Sequence, residues 1–175
     1  MKIDVTEILL TENTNKQFEV IMDMSKIEIS HQIHRISRKE PFVLEIDHLV
    51  SNKLVIIGNT QISIEAPCDR CLEDVEIQLS IHINEKISLS DGVILNDTSD
   101  GAISYISENV LDVDQLIYNE ILVNWPLKIL CKEDCKGICP VCGNHLNEKE
   151  CSCDQLVLDP RMAKIQDVFK EFKEV

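Results

Sequence analysis

The sequence predicts an α+β fold: an antiparallel β-sheet or partly closed barrel, a central helix, a cysteine-rich metal-binding segment and a C-terminal helix. Three observations carry this. In VEIQLSIHINEKI, Val75, Ile77, Leu79, Ile81 and Ile83 alternate with polar residues, the period of two that buries one face of a strand. Val113, Leu116, Ile117 and Ile121 recur at helical spacing. CKEDCKGICPVCGNHLNEKECSC, residues 131–153, holds six of the eight cysteines.

The elements follow in chain order. Asp4 is placed to cap a short helix through VTEILL, and KQFEVIMD reads as a strand entered from the polar turn TENTNK. FVLEIDHLV and KLVIIGNTQISIEA are rich in β-branched residues, with Ser51-Asn52 and Gly58-Asn59 marking turns or a bulge. The alternating strand at 75–83 comes next, making the sheet or barrel run from about residue 18 to about residue 90. Residues 90–109 hold two of the five glycines and many turn formers, so they read as a long surface loop with a brief strand at Ile103 to Ile106. The helix behind Asp112 is stopped by Pro126. In DPRMAKIQDVFKEF, Asp159 caps, Pro160 takes the first helical position, and Met162, Ile165, Phe169 and Phe172 share a face. The expected organisation is a β-rich body with the central helix, residues 1–130, and a knuckle segment with the C-terminal helix, residues 131–175, packed on the body through Cys68 and Cys71.

A chain of 175 residues can bury a core without help from metal. The N-terminus lacks a basic-then-apolar leader, and no stretch approaches the eighteen apolar residues of a membrane span, so a soluble cytoplasmic protein is expected. In that reducing compartment eight closely spaced cysteines point to metal rather than to disulfides. The formal net charge is −14, which repels a phosphate backbone overall. Half of it lies in residues 84–120, where eight acids face Lys86 alone (−8 + 1 = −7). The opposite extreme is SHQIHRISRK, with Arg35, Arg38 and Lys39.

The cysteines sort into two sets of four. Zinc takes four soft ligands at tetrahedral corners, and a two-residue gap lets one turn supply two of them. CPVCG gives Cys139 and Cys142, with Gly143 free to take the positive φ that opens the turn to backbone amides. Cys151 and Cys153 of CSC complete site B. Cys131 and Cys135, spaced to share one face of a helical turn, then join Cys68 and Cys71 of APCDRC in site A, which closes a loop of about sixty residues. Two zinc ions are therefore expected. His145 inside the cluster is an alternative ligand to Cys151 or Cys153, although its plainer reading is a polar loop residue. An iron–sulfur cluster uses the same ligands, and Cys68 with Cys71 also has the spacing of a redox pair.

With APCDRC after a β-rich half, a helix ending in NWP, the 131–153 cluster and LDPRMAKIQDV in place, the chain resembles the YceD family of bacteria and chloroplasts, described as large ribosomal RNA subunit accumulation proteins. The resemblance covers most of residues 41–170. It implies a bacterial-type role in the accumulation or processing of large-subunit (23S) rRNA, and so in ribosome biogenesis, with no known catalytic activity.

The residues themselves favour a factor over an enzyme. The five glycines never cluster into a phosphate loop, HExxH and GxSxG are absent, and a four-cysteine zinc site has no open position for water. Seven aromatics, with Phe42, Trp125, Phe169 and Phe172 at core positions, leave few for base stacking. Arg35, Arg38, Lys39, Lys128, Lys132 and Lys136 are the candidate RNA contacts. The acidic 84–120 segment instead suits a basic ribosomal protein. The expectation is a non-enzymatic zinc-binding factor whose partner is large-subunit rRNA or a basic ribosomal protein, with neither a membrane nor a small-molecule substrate. A thiol redox enzyme or sensor using Cys68 and Cys71, and a structural zinc protein with a partner outside translation, are the alternatives.

Overall fold

The computed structural model describes residues 1–50, 52–90, 93–94 and 105–153. In chain order the elements are β1 (Lys2–Asp4), α1 (Thr6–Leu10), β2 (Thr14–Val20), β3 (Lys26–Ile29), β4 (Gln32–Lys39), β5 (Phe42–Leu49), β6 (Lys53–Pro67), β7 (Asp74–Ser90), β8 (Val93–Ile94), β9 (Ile106–Ser107), β10 (Val110–Asp112) and α2 (Val113–Asn124). The expected C-terminal helix and the brief strand's first residues, 103–104, lie outside the described residues, as does most of the long loop.

β6 is the axis of the main sheet. Along one edge it pairs antiparallel with β7 from Lys53↔Ser88 to Pro67↔Asp74. Its other edge is shared: β5 takes the stretch from Lys53 to Gly58, and β4 the stretch from Ile62 to Glu65. Gly58-Asn59, expected as a turn or bulge, is therefore the point inside a continuous strand where one neighbour hands over to the next. A Cβ on Gly58 would stand 3.0 Å from Leu44 Cδ1 and 3.2 Å from the Phe42 ring, so a larger residue needs those side chains to give by a few tenths of an ångström.

β2 pairs the outer edge of β5 and β3 that of β4. The resulting order, β2-β5-β6-β4-β3 with β7 on the far edge of β6, is that of an open sheet. Among the described residues the strands do not close into a barrel, which corrects the partly closed alternative. β1, β10 and β9 form a separate three-stranded sheet.

Val75 and Ile77 of the expected alternation are only half-buried, whereas Leu79, Ile81 and Ile83, and beyond them Ile87 and Leu89, bury one face of β7. Together with Leu44, Ile46, Leu54, Ile56, Ile62 and Ile64, these form a continuous apolar core. Each such side chain contributes roughly 1.5–3 kcal/mol on burial. Asp112 caps α2, its side chain accepting from the Gln115 backbone N–H at 3.3 Å. Val113, Leu116, Ile117 and Ile121 are all buried, and α2 packs against β7 and β1. It flanks an open sheet; the central helix of the expected fold is not what these contacts describe. At the start of α1 the cap position is held by Val5, without a side-chain cap hydrogen bond; Asp4, expected as the cap, ends β1, and its Oδ1 accepts from Thr6 N–H at 2.8 Å. No helix among the described residues is long and apolar enough to cross a membrane.

Two compact units emerge: Met1–Pro67 with Asp74–Ile129, and Cys68–Glu73 with Leu130–Val175. The first holds both sheets and both helices of the described residues. The second holds all eight cysteines.

Candidate metal centres

The second unit is built from turns. Residues 68–73 connect β6 to β7, closed by Cys68 N–H to Glu73 O at 2.8 Å and Leu72 N–H to Cys68 O at 2.9 Å. Leu72 takes φ 64, the left-handed turn conformation. Cys131 and Cys135 belong to a turn closed by Cys135 N–H to Lys132 O at 3.1 Å, so they are brought together by an i to i+3 turn and not by the helical face that their spacing suggested. Ile138 N–H then donates to Arg70 O at 3.2 Å and carries this turn against residues 68–73.

That approach depends on Gly137. Its φ is +76, and a Cβ there would stand 2.8 Å from the Arg70 carbonyl oxygen. Arg70 Nη1 donates to Cys135 O at 2.6 Å and Asn147 Nδ2 donates to Cys135 Sγ at 3.2 Å. None of these three supports is marked by spacing or composition; the nearest sequence signal is that Gly137 sits midway between two cysteine pairs.

The sulfur atoms gather as two quartets, Cys68, Cys71, Cys131 and Cys135, and Cys139, Cys142, Cys151 and Cys153, each with its four Sγ atoms within 4.8 Å of one another. Cys68 Sγ is 3.9 Å from Cys135 Sγ, and Cys71 Sγ is 3.5 Å from Cys131 Sγ. All eight are free thiols. A tetrahedral ion with metal–sulfur bonds of about 2.3 Å sets its sulfurs about 3.8 Å apart, so the observed contacts fit one ion among four sulfurs. In the second quartet Gly143 has φ +73, as expected, and Gly143 N–H closes the turn on Cys139 O at 2.9 Å.

The thiols within each quartet are shifted in opposite directions. Burial pushes the Cys68 thiol up, but amides of Arg70, Cys131 and Cys71 outweigh it and bring Cys68 down to about 6. The Asn147 amide, above all, lowers Cys135. Burial raises Cys71 and Cys131. In the second quartet the Cys142 and Val141 amides bring Cys139 down to about 6, while sharing with Cys142 pushes Cys153 up to about 12. The Cys153 amide lowers Cys151, but contact with Cys139 and burial carry it upward overall. Some thiols in each quartet are poised to ionise and others are held protonated, Cys71 and Cys131 by burial first and Cys153 by sharing with Cys142; a dication would let all four ionise.

The candidate RNA contacts divide between the two units. On β4, Arg35 lies 3.7 Å from Glu65, Arg38 lies 2.8 Å from Glu40, and Lys39 Nζ donates to Met24 O at 3.0 Å. Lys128 is exposed beyond α2. In the cysteine unit Lys132 and Lys136 are exposed, and Lys136 pairs with Glu150 at 3.4 Å. Trp125 is half-buried and rests on His34 with ring centroids 5.1 Å apart, and Phe42 is buried. Phe169 and Phe172 lie outside the described residues.

Comparison with known proteins adds a family. The model of the family described as "Large ribosomal RNA subunit accumulation protein YceD" matches residues 56–169. An uncharacterized protein of Mycobacterium tuberculosis is 24% identical over 119 residues, covering 68% of this chain and 57% of that protein. One from Mycobacterium leprae is 24% identical over 119 residues, covering 68% and 54%. The uncharacterized protein YlbN of Bacillus subtilis is 26% identical over 106 residues, 60% of each chain. The chain thus spans little more than half the length of the curated relatives it matches. No solved structure matches it.

Proposed function

This chain belongs to the YceD family, and from that premise we propose that it is a non-enzymatic, zinc-stabilised factor supporting large-subunit rRNA accumulation during ribosome assembly in the cytoplasm. The observation that carries the zinc reading is the pair of four-sulfur clusters. Sulfur contacts of 3.5 and 3.9 Å leave room for a single ion, whereas an iron–sulfur cluster interposes several atoms and spreads its cysteines wider. Zinc bound by four thiolates is a closed centre that contributes folding energy and offers no open position to a substrate. Cys68 and Cys71 each lie close to a sulfur of the downstream pair, which favours a quartet over a redox couple.

Arg35 and Arg38 already face carboxylates, and the chain carries a net charge of −14. A basic ribosomal protein of the large subunit therefore suits this chain better than bare rRNA. Titration of the purified zinc-loaded protein with large-subunit ribosomal proteins and, separately, with large-subunit rRNA tests this. Salt-sensitive binding to one or more of the basic proteins is expected. Binding to neither, or binding indifferent to salt, would sink the reading.

A further inference from the structure

Beside the first quartet lies a third group of ligand atoms: Cys71 Sγ, a Glu73 carboxylate oxygen and a ring nitrogen of His145, all within 4.8 Å of one another. All three residues belong to the cysteine unit, and backbone contacts fix their approach. Glu73 closes the 68–73 turn through its carbonyl. His145 forms an antiparallel bridge with Ile138, the residue whose N–H binds Arg70 O, and Leu146 N–H donates to Gly137 O at 2.9 Å.

The His145 ring is the telling feature. Both of its nitrogens are buried, and neither has a hydrogen-bond partner. Its Nε2 lies 3.6 Å from Glu73 Oε1, too far for a hydrogen bond. Buried polar atoms are nearly always satisfied, so an orphaned pair calls for a bound species. The surrounding charge names its sign. Four thiolates around one dication carry −4 + 2 = −2, and Glu73 Oε2 stands only 3.5 Å from Cys71 Sγ.

We propose that Cys71, Glu73 and His145 bind a further divalent transition-metal ion, with the Cys71 sulfur bridging it to the ion of the first quartet. Thiolate, carboxylate and imidazole together are a donor set that zinc accepts. Three protein donors leave one tetrahedral corner for water or an oxygen anion, so this position is open where the quartets are closed. The proposal rests on the four-cysteine reading, because it borrows Cys71.

The test is native mass spectrometry of the full chain at zinc excess, with cadmium NMR of the cadmium-substituted protein. The expected result is three ions: two cadmium signals of tetrathiolate type and a third of mixed-donor type. His145→Ala should lower the count to two and keep both tetrathiolate signals, while His31→Ala, an exposed histidine in the other unit, should leave three. If His145→Ala disturbs the tetrathiolate signals, Glu73→Gln decides, and it must weaken the third ion at least tenfold. Two ions in the unaltered protein, or three in His145→Ala with both tetrathiolate signals intact, overturns the bridged site and spares the quartets. Absence of tetrathiolate signals overturns both.

Discussion

Each of the two units is stabilised by its own chemistry. In residues 1–67 and 74–129 the buried side chains are those of an ordinary apolar core, led by Leu44, Ile46, Ile56, Ile64, Ile81, Leu116 and Ile117. In the described part of the second unit every buried apolar side chain is a cysteine: Cys68, Cys71, Cys135 and Cys139. The first unit can fold on hydrophobic burial. The second has no such reserve among its described residues; on the reading proposed above, its thiols supply the folding energy through a bound ion.

Metal removal should therefore break the comparison open with the largest effect. A structural zinc in a small domain is worth about 10–16 kcal/mol. Chelation under reducing conditions should abolish amide protection in residues 130–153 while β6 and β7 keep theirs, as read by hydrogen exchange. Equal loss of protection in both units would mean that the first also depends on metal.

Ile56→Ala probes the other side. Ile56 is fully buried in the axis strand, and its truncation should cost about 2–5 kcal/mol in urea unfolding. Zinc content measured in native buffer should not change. Loss of an ion on this substitution would show that the sheet core also sustains the ligand sets.

The two positive-φ glycines of the cysteine unit sharpen the contrast within it. Gly137→Ala meets both a left-handed backbone and the Arg70 carbonyl, a combination worth about 1–3 kcal/mol. Gly143→Ala meets the backbone cost alone, as nothing lies within 4 Å. Chelator competition should show Gly137→Ala releasing its first ion more readily than Gly143→Ala. The reverse order would mean that the approach to Arg70 does not build the first quartet.

This division also explains what the sequence made legible. Apolar periodicity reports burial, so β7 and α2 could be read from alternation and helical spacing. Cysteine counting could sort the quartets, because eight cysteines divide into two sets of four with none left over, the grouping that the sulfur positions show. The β3–β4 hairpin escaped because its turn residues, Ser30 and His31, take φ 51 and 64 without the glycine that usually announces such a turn. Gly58 misled for the opposite reason, since it stands inside a strand, close against Leu44 and Phe42. Arg70 and Asn147 act through side-chain hydrogen bonds to Cys135, and Gly137 through its close approach to the Arg70 carbonyl, contacts across turns that no local pattern encodes.

The smallest expected effect concerns acid, and the two units should answer it in opposite senses. On α2 the partly buried Glu120 carboxyl is raised above its ordinary 4.5, by burial first and by Glu85 second. A raised acid favours the folded state fully below 4.5, and this contribution is lost as pH rises through the folded value. Glu120→Gln should therefore stabilise the protein near neutral pH by no more than about 0.5 kcal/mol, since water still reaches most of the group. That gain should vanish below pH 4.5, and one that persisted there would trace to packing instead of charge. Cys68 and Cys139 run the other way. Both fall from 9.0 to about 6, so their contribution is complete above 9.0 and is lost as pH drops through about 6. With metal bound, protons must also displace the ion from the same sulfurs, so metal should be released as the solution is acidified. Acidification from pH 7 should thus strip the cysteine unit while relieving the charge on Glu120, and zinc release tracked beside the Glu120→Gln stability difference would separate the two.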